Sequence, residues 1–251
     1  MLKTKPAKMS APPSYNDSVL YNRKTGDDFQ LADTNERHGF ILRVYTILMV
    51  MLGFTVATSA LFISNESVGN FVKENFVAFY VLSIVFMFVT LFMMLCIPSC
   101  RYESPHNFLC LSVFTLCVSI MVGTVTMQYD TIVVLLAFGA TTAITLSLTL
   151  FAFQTKIDFT GLGPYLLAIL IGLIFLGIIQ IWVKNQVLNT VTAAIGAILF
   201  SFYIIYDTQL MIGGEHKNSI GPDEYIFAAL SLYLDIINLF LYLLQLIGGS
   251  D

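Results

Sequence analysis

Hydrophobic positions along this chain are gathered into seven long blocks, each bounded by a few polar residues. The blocks run Phe40–Ile63, Phe76–Ile97, Phe108–Thr126, Thr131–Phe153, Pro164–Trp182, Leu188–Met211 and Tyr225–Ile247. Each is about 18–24 residues long, enough for an α-helix to cross a hydrocarbon layer roughly 30 Å thick. The breaks are short, as in Met127-Gln128-Tyr129-Asp130 and Lys184-Asn185-Gln186. Short breaks make successive helices antiparallel neighbours. The pattern therefore predicts an all-α, polytopic membrane protein: a compact bundle of seven transmembrane helices.

Residues 1–39 read differently. They are rich in Lys, Pro, Ser, Asn and Asp, and are expected to form a disordered tail. The expected organisation is thus a tail (1–39), a seven-helix domain (40–248) and a short end (249–251). Composition agrees with a membrane protein. The chain is 57% hydrophobic and 11% charged, with a mean hydropathy of +0.81. Soluble domains carry about 25% charged residues, so lipid must cover much of this surface. A net charge of −4, with no basic patch, excludes nucleic acid as a partner. No HExxH, GxSxG or phosphate loop is present, and no enzyme activity or resident cofactor is expected. The four cysteines, Cys96, Cys100, Cys110 and Cys117, form no CxxC pair and read as small buried residues.

Helix punctuation refines the ends. Gly213-Gly214 supplies a left-handed stop for the sixth helix. Pro222 fits the first turn of the seventh, with Asp223 and Glu224 favourable near its N-terminus. Orientation follows from Lys3, Lys5, Lys8, Arg23, Lys24 and Arg37, which favour a cytosolic N-terminus. Ala193, Ala194, Gly196 and Ala197 thin one side of the sixth helix, and Thr141, Thr142, Thr145, Ser147 and Thr149 make the fourth mildly polar. Both features suit close helix packing in lipid.

Ionisable residues inside the apolar blocks carry the chemistry, because a charge near the bilayer centre is costly and faces a cavity or a partner. Asp235 lies mid-way along the seventh block. Ser231, Asp235, Asn238, Tyr242 and Gln245 follow one another at helical spacing, so the five share a face as a polar stripe pointing into the bundle. Asp207 lies in Tyr206-Asp207-Thr208-Gln209, near the end of the sixth block. The last two helices are antiparallel, so the two carboxylates fall at comparable depth. Two carboxylates in one poorly solvated site rarely both ionise, and the pair can share a proton. Holding one proton they latch two helices together; losing it adds repulsion. The same oxygens suit transient Ca2+, a hard cation. Arg43 and Arg101 are candidate counter-ions. The residues alone leave three readings open: a cation path, a non-conducting scaffold, and a seven-helix receptor. Short loops argue against the receptor.

The stretch FSFYIIYDTQLMIGG from Phe200, followed by PDEYIFAALSLYLDIINLFLYLLQLIG to Gly248, resembles the signature end of the transmembrane Bax inhibitor motif family. Within it the chain looks most like the lifeguard branch. Arg43-Val44-Tyr45 and the segment Phe153 to Thr160 agree with that resemblance. It implies seven helices with the last one central, a pH-dependent Ca2+ leak across intracellular membranes (endoplasmic reticulum, Golgi or lysosome, with the plasma membrane as a further site), and suppression of apoptosis through cell-death regulators. The family's paired aspartates match Asp207 and Asp235, and an arginine after the second helix matches Arg101. The chain departs from some relatives in having no acidic residue within its second helix.

Two weaker motifs remain. Pro12-Pro13-Ser14-Tyr15 fits a PPxY ligand for WW-domain proteins, which dock preformed polyproline segments. Asn65-Glu66-Ser67 is a glycosylation sequon close to a helix end.

Overall fold

The computed structural model describes residues 15–213 and 218–249, with the side chains of 15–35, 101 and 222 left aside. The chain divides into two units, Met1–Gly39 and Phe40–Asp251. Nine α-helices follow in order among the described residues: α1 Tyr15–Ser64, α2 Glu66–Glu74, α3 Phe76–Cys96, α4 Pro98–Tyr102, α5 His106–Thr126, α6 Thr131–Gln154, α7 Gly163–Trp182, α8 Gln186–Ile212 and α9 Tyr225–Gly248. Seven are long and apolar enough to span a membrane, namely 36–64 of α1, α3, α5, α6, α7 with its leading 3-10 turn, α8 and α9. The short α2 and α4 lie in the connections.

The stretch 15–39 forms the first part of α1. Extending a helix adds one hydrogen bond per residue without a new nucleation step, so a polar segment can continue an apolar span with no core of its own. Pro12 and Pro13 lie outside the described residues, as does the side chain of Tyr15; the PPxY motif therefore has no structural account.

Helix ends follow local chemistry. Asn65 Oδ1 accepts from Val68 N at 3.1 Å and caps α2, and Asn185 Oδ1 accepts from Leu188 N at 3.2 Å and caps α8. Gly213 ends α8 at φ 62°, a conformation that disfavours any side chain. Its neighbour Gly214 lies outside the described residues. Pro222 opens a 3-10 turn, Pro222–Glu224, that leads into α9. Asn65 itself is exposed, so its sequon sits on a capping residue at the surface.

The core is built around α9. Its buried residues include Ile226, Leu230, Tyr233, Asp235, Ile237, Leu239 and Leu244, which point to several sides of the helix. It packs most extensively on α8, then on α6, and touches α5 and α4. Phe40, Val44, Leu48 and Met51 give α1 one buried face at helical spacing. By contrast α3 and α7 bury least and turn residues such as Phe88, Phe92, Phe175 and Ile181 outward. The arrangement is a seven-helix bundle whose last helix is central. The outward faces carry many large apolar side chains, and several polar ones, Asp207, Gln209 and Asp235 among them, are buried inside.

Candidate functional site

Where α8 crosses α9, a glycine makes room for a tyrosine. A Cβ on Gly196 would lie 2.6 Å from the Tyr242 ring, so glycine is what allows this approach. Tyr242 stacks on Phe200 with ring centres 5.8 Å apart. Phe200 is 5.8 Å from Tyr203, and Tyr203 meets Tyr206 edge-on at 6.3 Å. A ladder of four rings therefore runs along α8 towards Asp207.

Beside that ladder, Asp207 and Asp235 are both buried, at 8% and 5% exposure. Their side chains lie close enough to interact across the α8–α9 contact. A bond between two carboxyl groups needs a proton on one of them, since two carboxylates only accept. Two acids this close in a low-dielectric site have the chemistry to share one proton. Tyr203 stands within electrostatic reach of both acids, and Tyr206 of Asp207. Asp235 Oδ2 has no hydrogen-bond partner among the described residues. The Tyr45 hydroxyl on α1 and Thr208 Oγ1 on α8 are also buried and do not reach hydrogen-bond geometry, although they lie close to each other and to Thr149. Thr145, one turn from Thr149 on α6, leaves a further hydroxyl unpaired. Thr141, Thr142 and Ser147 behave otherwise, each donating to a carbonyl of their own helix.

The polar stripe on α9 divides. Asp235 and Tyr242 pack on α8, and Gln245 reaches the Asn189 carbonyl there at 3.5 Å. Asn238 instead donates to Leu234 O of its own helix at 2.8 Å and borders a cavity of about 230 Å3 between α3, α5 and α9. Ser231 is half-buried. The spacing places five residues on one face, but neighbouring helices cross α9 at an angle, so one face meets different partners at different heights.

The counter-ion expectation for Arg43 is not met. Arg43 is exposed and enters no interaction with Asp207 or Asp235. Phe40, Val44 and Leu48 take the inward face of α1, and Arg43 lies one residue, about 100°, off that line. The side chain of Arg101 lies outside the described residues. Among those residues no group of three or more His, Cys, Asp or Glu could hold a metal ion. Two carboxyls offer at most four oxygens, while Ca2+ takes six to eight ligands. The pair alone does not fill such a shell.

Two structural nodes escaped the sequence reading. Gln209, fully buried, accepts from Phe159 N at 2.7 Å and donates to Ile157 O at 2.9 Å, which clamps the α6–α7 connection to the end of α8. Thr160 and Asp158 extend that clamp, with Asn218 Nδ2 donating to Thr160 O at 3.0 Å. The second node joins three helices: Thr55 on α1 lies 2.7 Å from the Tyr233 hydroxyl on α9 and 2.9 Å from Ser119 Oγ on α5. Buried polar side chains inside apolar runs were the available signal for both, but spacing alone does not name their partners.

Comparison with known proteins agrees with this architecture. The sequence model of the family described as "Inhibitor of apoptosis-promoting Bax1" matches residues 37–251. Protein lifeguard 3 of Mus musculus is 36% identical over 96% of this chain and 80% of its own length. The Homo sapiens lifeguard 3 is 38% identical over 91% and 75%. The Golgi anti-apoptotic protein of Vaccinia virus (strain Lister) is 38% identical over 97% of each chain. With a family match over its whole membrane region and relatives of this identity, the chain belongs to the transmembrane Bax inhibitor motif family, in its lifeguard branch.

Proposed function

We propose that this protein is a pH-sensitive, Ca2+-permeable leak channel of intracellular membranes that regulates Ca2+ homeostasis and suppresses apoptosis. The observation that carries the reading is the adjacent pair of buried acids, Asp207 and Asp235, at the contact of α8 and α9. With one proton between them the acids tie the two helices. When that proton leaves, two like charges face each other in a poorly solvated site and push the helices apart. The freed oxygens then attract a hard cation. The names of its viral and mammalian relatives support the anti-apoptotic part, and the viral one, a Golgi protein by name, supports the Golgi among intracellular membranes. The basic residues before the first span support a cytosolic N-terminus. Membrane lipid and Ca2+ are the direct partners, with WW-domain proteins at Pro12-Pro13-Ser14-Tyr15 and cell-death regulators beyond the membrane domain.

The test is Ca2+ flux into proteoliposomes across a pH series. Wild-type flux should rise as pH is raised and the shared proton is lost. Asp207→Asn and Asp235→Asn each place a permanent amide donor against the remaining acid, so their flux should no longer follow pH. A pH response unchanged in both variants removes the latch. No flux from well-folded wild-type protein at any pH points to a non-conducting scaffold.

A further inference from the structure

At the corner between the second and third spans, the connection turns back through the short α4 and brings two sulfurs together. Cys100 Sγ and Cys110 Sγ are 2.8 Å apart, and both are free thiols. Cys100, on α4, is buried; Cys110, in the second turn of α5, is half-buried. The other two cysteines differ. Cys96 is exposed, Cys117 is buried, and neither has a sulfur contact among the described residues. The corner is also tied to the central helix. Tyr102 OH donates to Glu224 Oε1 at 2.9 Å, in the turn that launches α9. The Phe108 and Tyr225 rings lie 6.3 Å apart.

We propose that Cys100 and Cys110 are an oxidation site, closing reversibly into an intramolecular disulfide that staples α4 to α5. The co-reactant is a low-molecular-weight disulfide. Cys110, the more accessible thiol, loses its proton and attacks one sulfur of the small disulfide, whose S–S bond breaks and releases one small thiol. Cys100, also deprotonated, attacks the Cys110 sulfur of this mixed disulfide and releases the second small thiol. The two protein protons end on the two released thiols, the protein loses two electrons, and the small disulfide gains them. A small dithiol reverses the sequence. The contact that permits this is between residues ten apart in sequence, across a corner that holds the start of α9. The inference does not depend on whether the protein conducts Ca2+.

The experiment uses full-length protein in membranes with Cys96 and Cys117 changed to Ser, leaving only the pair. After treatment with oxidised glutathione, both thiols should vanish from maleimide labelling with no gain in adduct mass, and dithiothreitol should restore them. Adding Cys100→Ser removes the resolving thiol, so a single glutathione adduct should then remain on Cys110. Peptide mapping of oxidised wild-type protein, which needs no variant, should find the Cys100 and Cys110 peptides cross-linked. Two thiols that stay free, a separate adduct on each, or a cross-link between two chains would overturn the proposal.

Discussion

The Thr55–Tyr233–Ser119 node gives a prediction whose size follows from counting protons. Thr55 has one hydroxyl proton, and it goes to Met51 O at 3.0 Å. Its two lone pairs are then left for Tyr233 at 2.7 Å and Ser119 at 2.9 Å, both of which must donate. Tyr233→Phe deletes one donor and leaves Thr55 with an empty lone pair, a mild loss. Hydrogen bonds between membrane helices average about 0.6 kcal/mol and reach about 1.7, and Tyr233 is fully buried, so the loss should be about 1 kcal/mol. Thr55→Val keeps the shape but removes the acceptor of two donors. Ser119 can turn back to its own helix. Tyr233, also packed edge-on against Phe114 at 6.4 Å, keeps only the neighbouring Ser119 side chain, outside hydrogen-bond geometry, and so loses its one well-placed acceptor. An orphaned buried donor costs about 1–3 kcal/mol, so Thr55→Val should cost about 2 kcal/mol, roughly twice the tyrosine change. The double variant should cost less than the sum of the two, because a ring without its hydroxyl no longer needs the acceptor. Reversible unfolding in mixed micelles, followed by helicity, reads all three. Equal costs for the single variants, or strict additivity, would refute this assignment of donors.

Three other changes test separate parts of the molecule. Gly196→Ala puts a methyl group into the Tyr242 ring face and should destabilise by about 1–3 kcal/mol; pairing it with Tyr242→Ala should recover part of that in the same assay. Gln209→Leu removes both clamps on the α6–α7 connection, and hydrogen exchange at Phe159 should quicken by at least tenfold while α9 amides hold. A peptide spanning Ser10–Leu20 should bind an isolated WW domain, and its Tyr15→Ala form should not; equal binding removes the motif.

The seven spans were legible because the signal is thermodynamic and local: a segment that crosses lipid must be long and apolar whatever it packs against. The ends of α8 and α9 followed from Gly213 and Pro222 for the same reason. The two acids were legible as costly exceptions, and the antiparallel path of the last two helices was enough to bring them together. What the sequence could not show is which neighbour a polar side chain meets. Asn238 and Gln245 share a stripe yet face different helices, and Arg43 lies a single residue away from the inward line of α1.

The acid pair also limits how steep a pH response can be. On the proposed reading, closing α8 onto α9 requires one proton on the pair, and opening releases it. Linkage then fixes the slope: each pH unit shifts a one-proton equilibrium by at most about 1.4 kcal/mol, a factor of ten. Flux should therefore rise no faster than tenfold per pH unit and flatten once the pair is empty. The flanking Tyr203 and Tyr206 are phenols that ordinarily titrate near pH 10, so they add nothing to a slope measured between pH 5 and 8. A response steeper than tenfold would require a second group taking up a proton with the first. Of the three histidines, His38 and His106 lie exposed and His216 lies outside the described residues. Changing all three to Asn should leave the slope as it was, and a slope that flattened in that variant would move the sensor from the buried acids to the membrane surface.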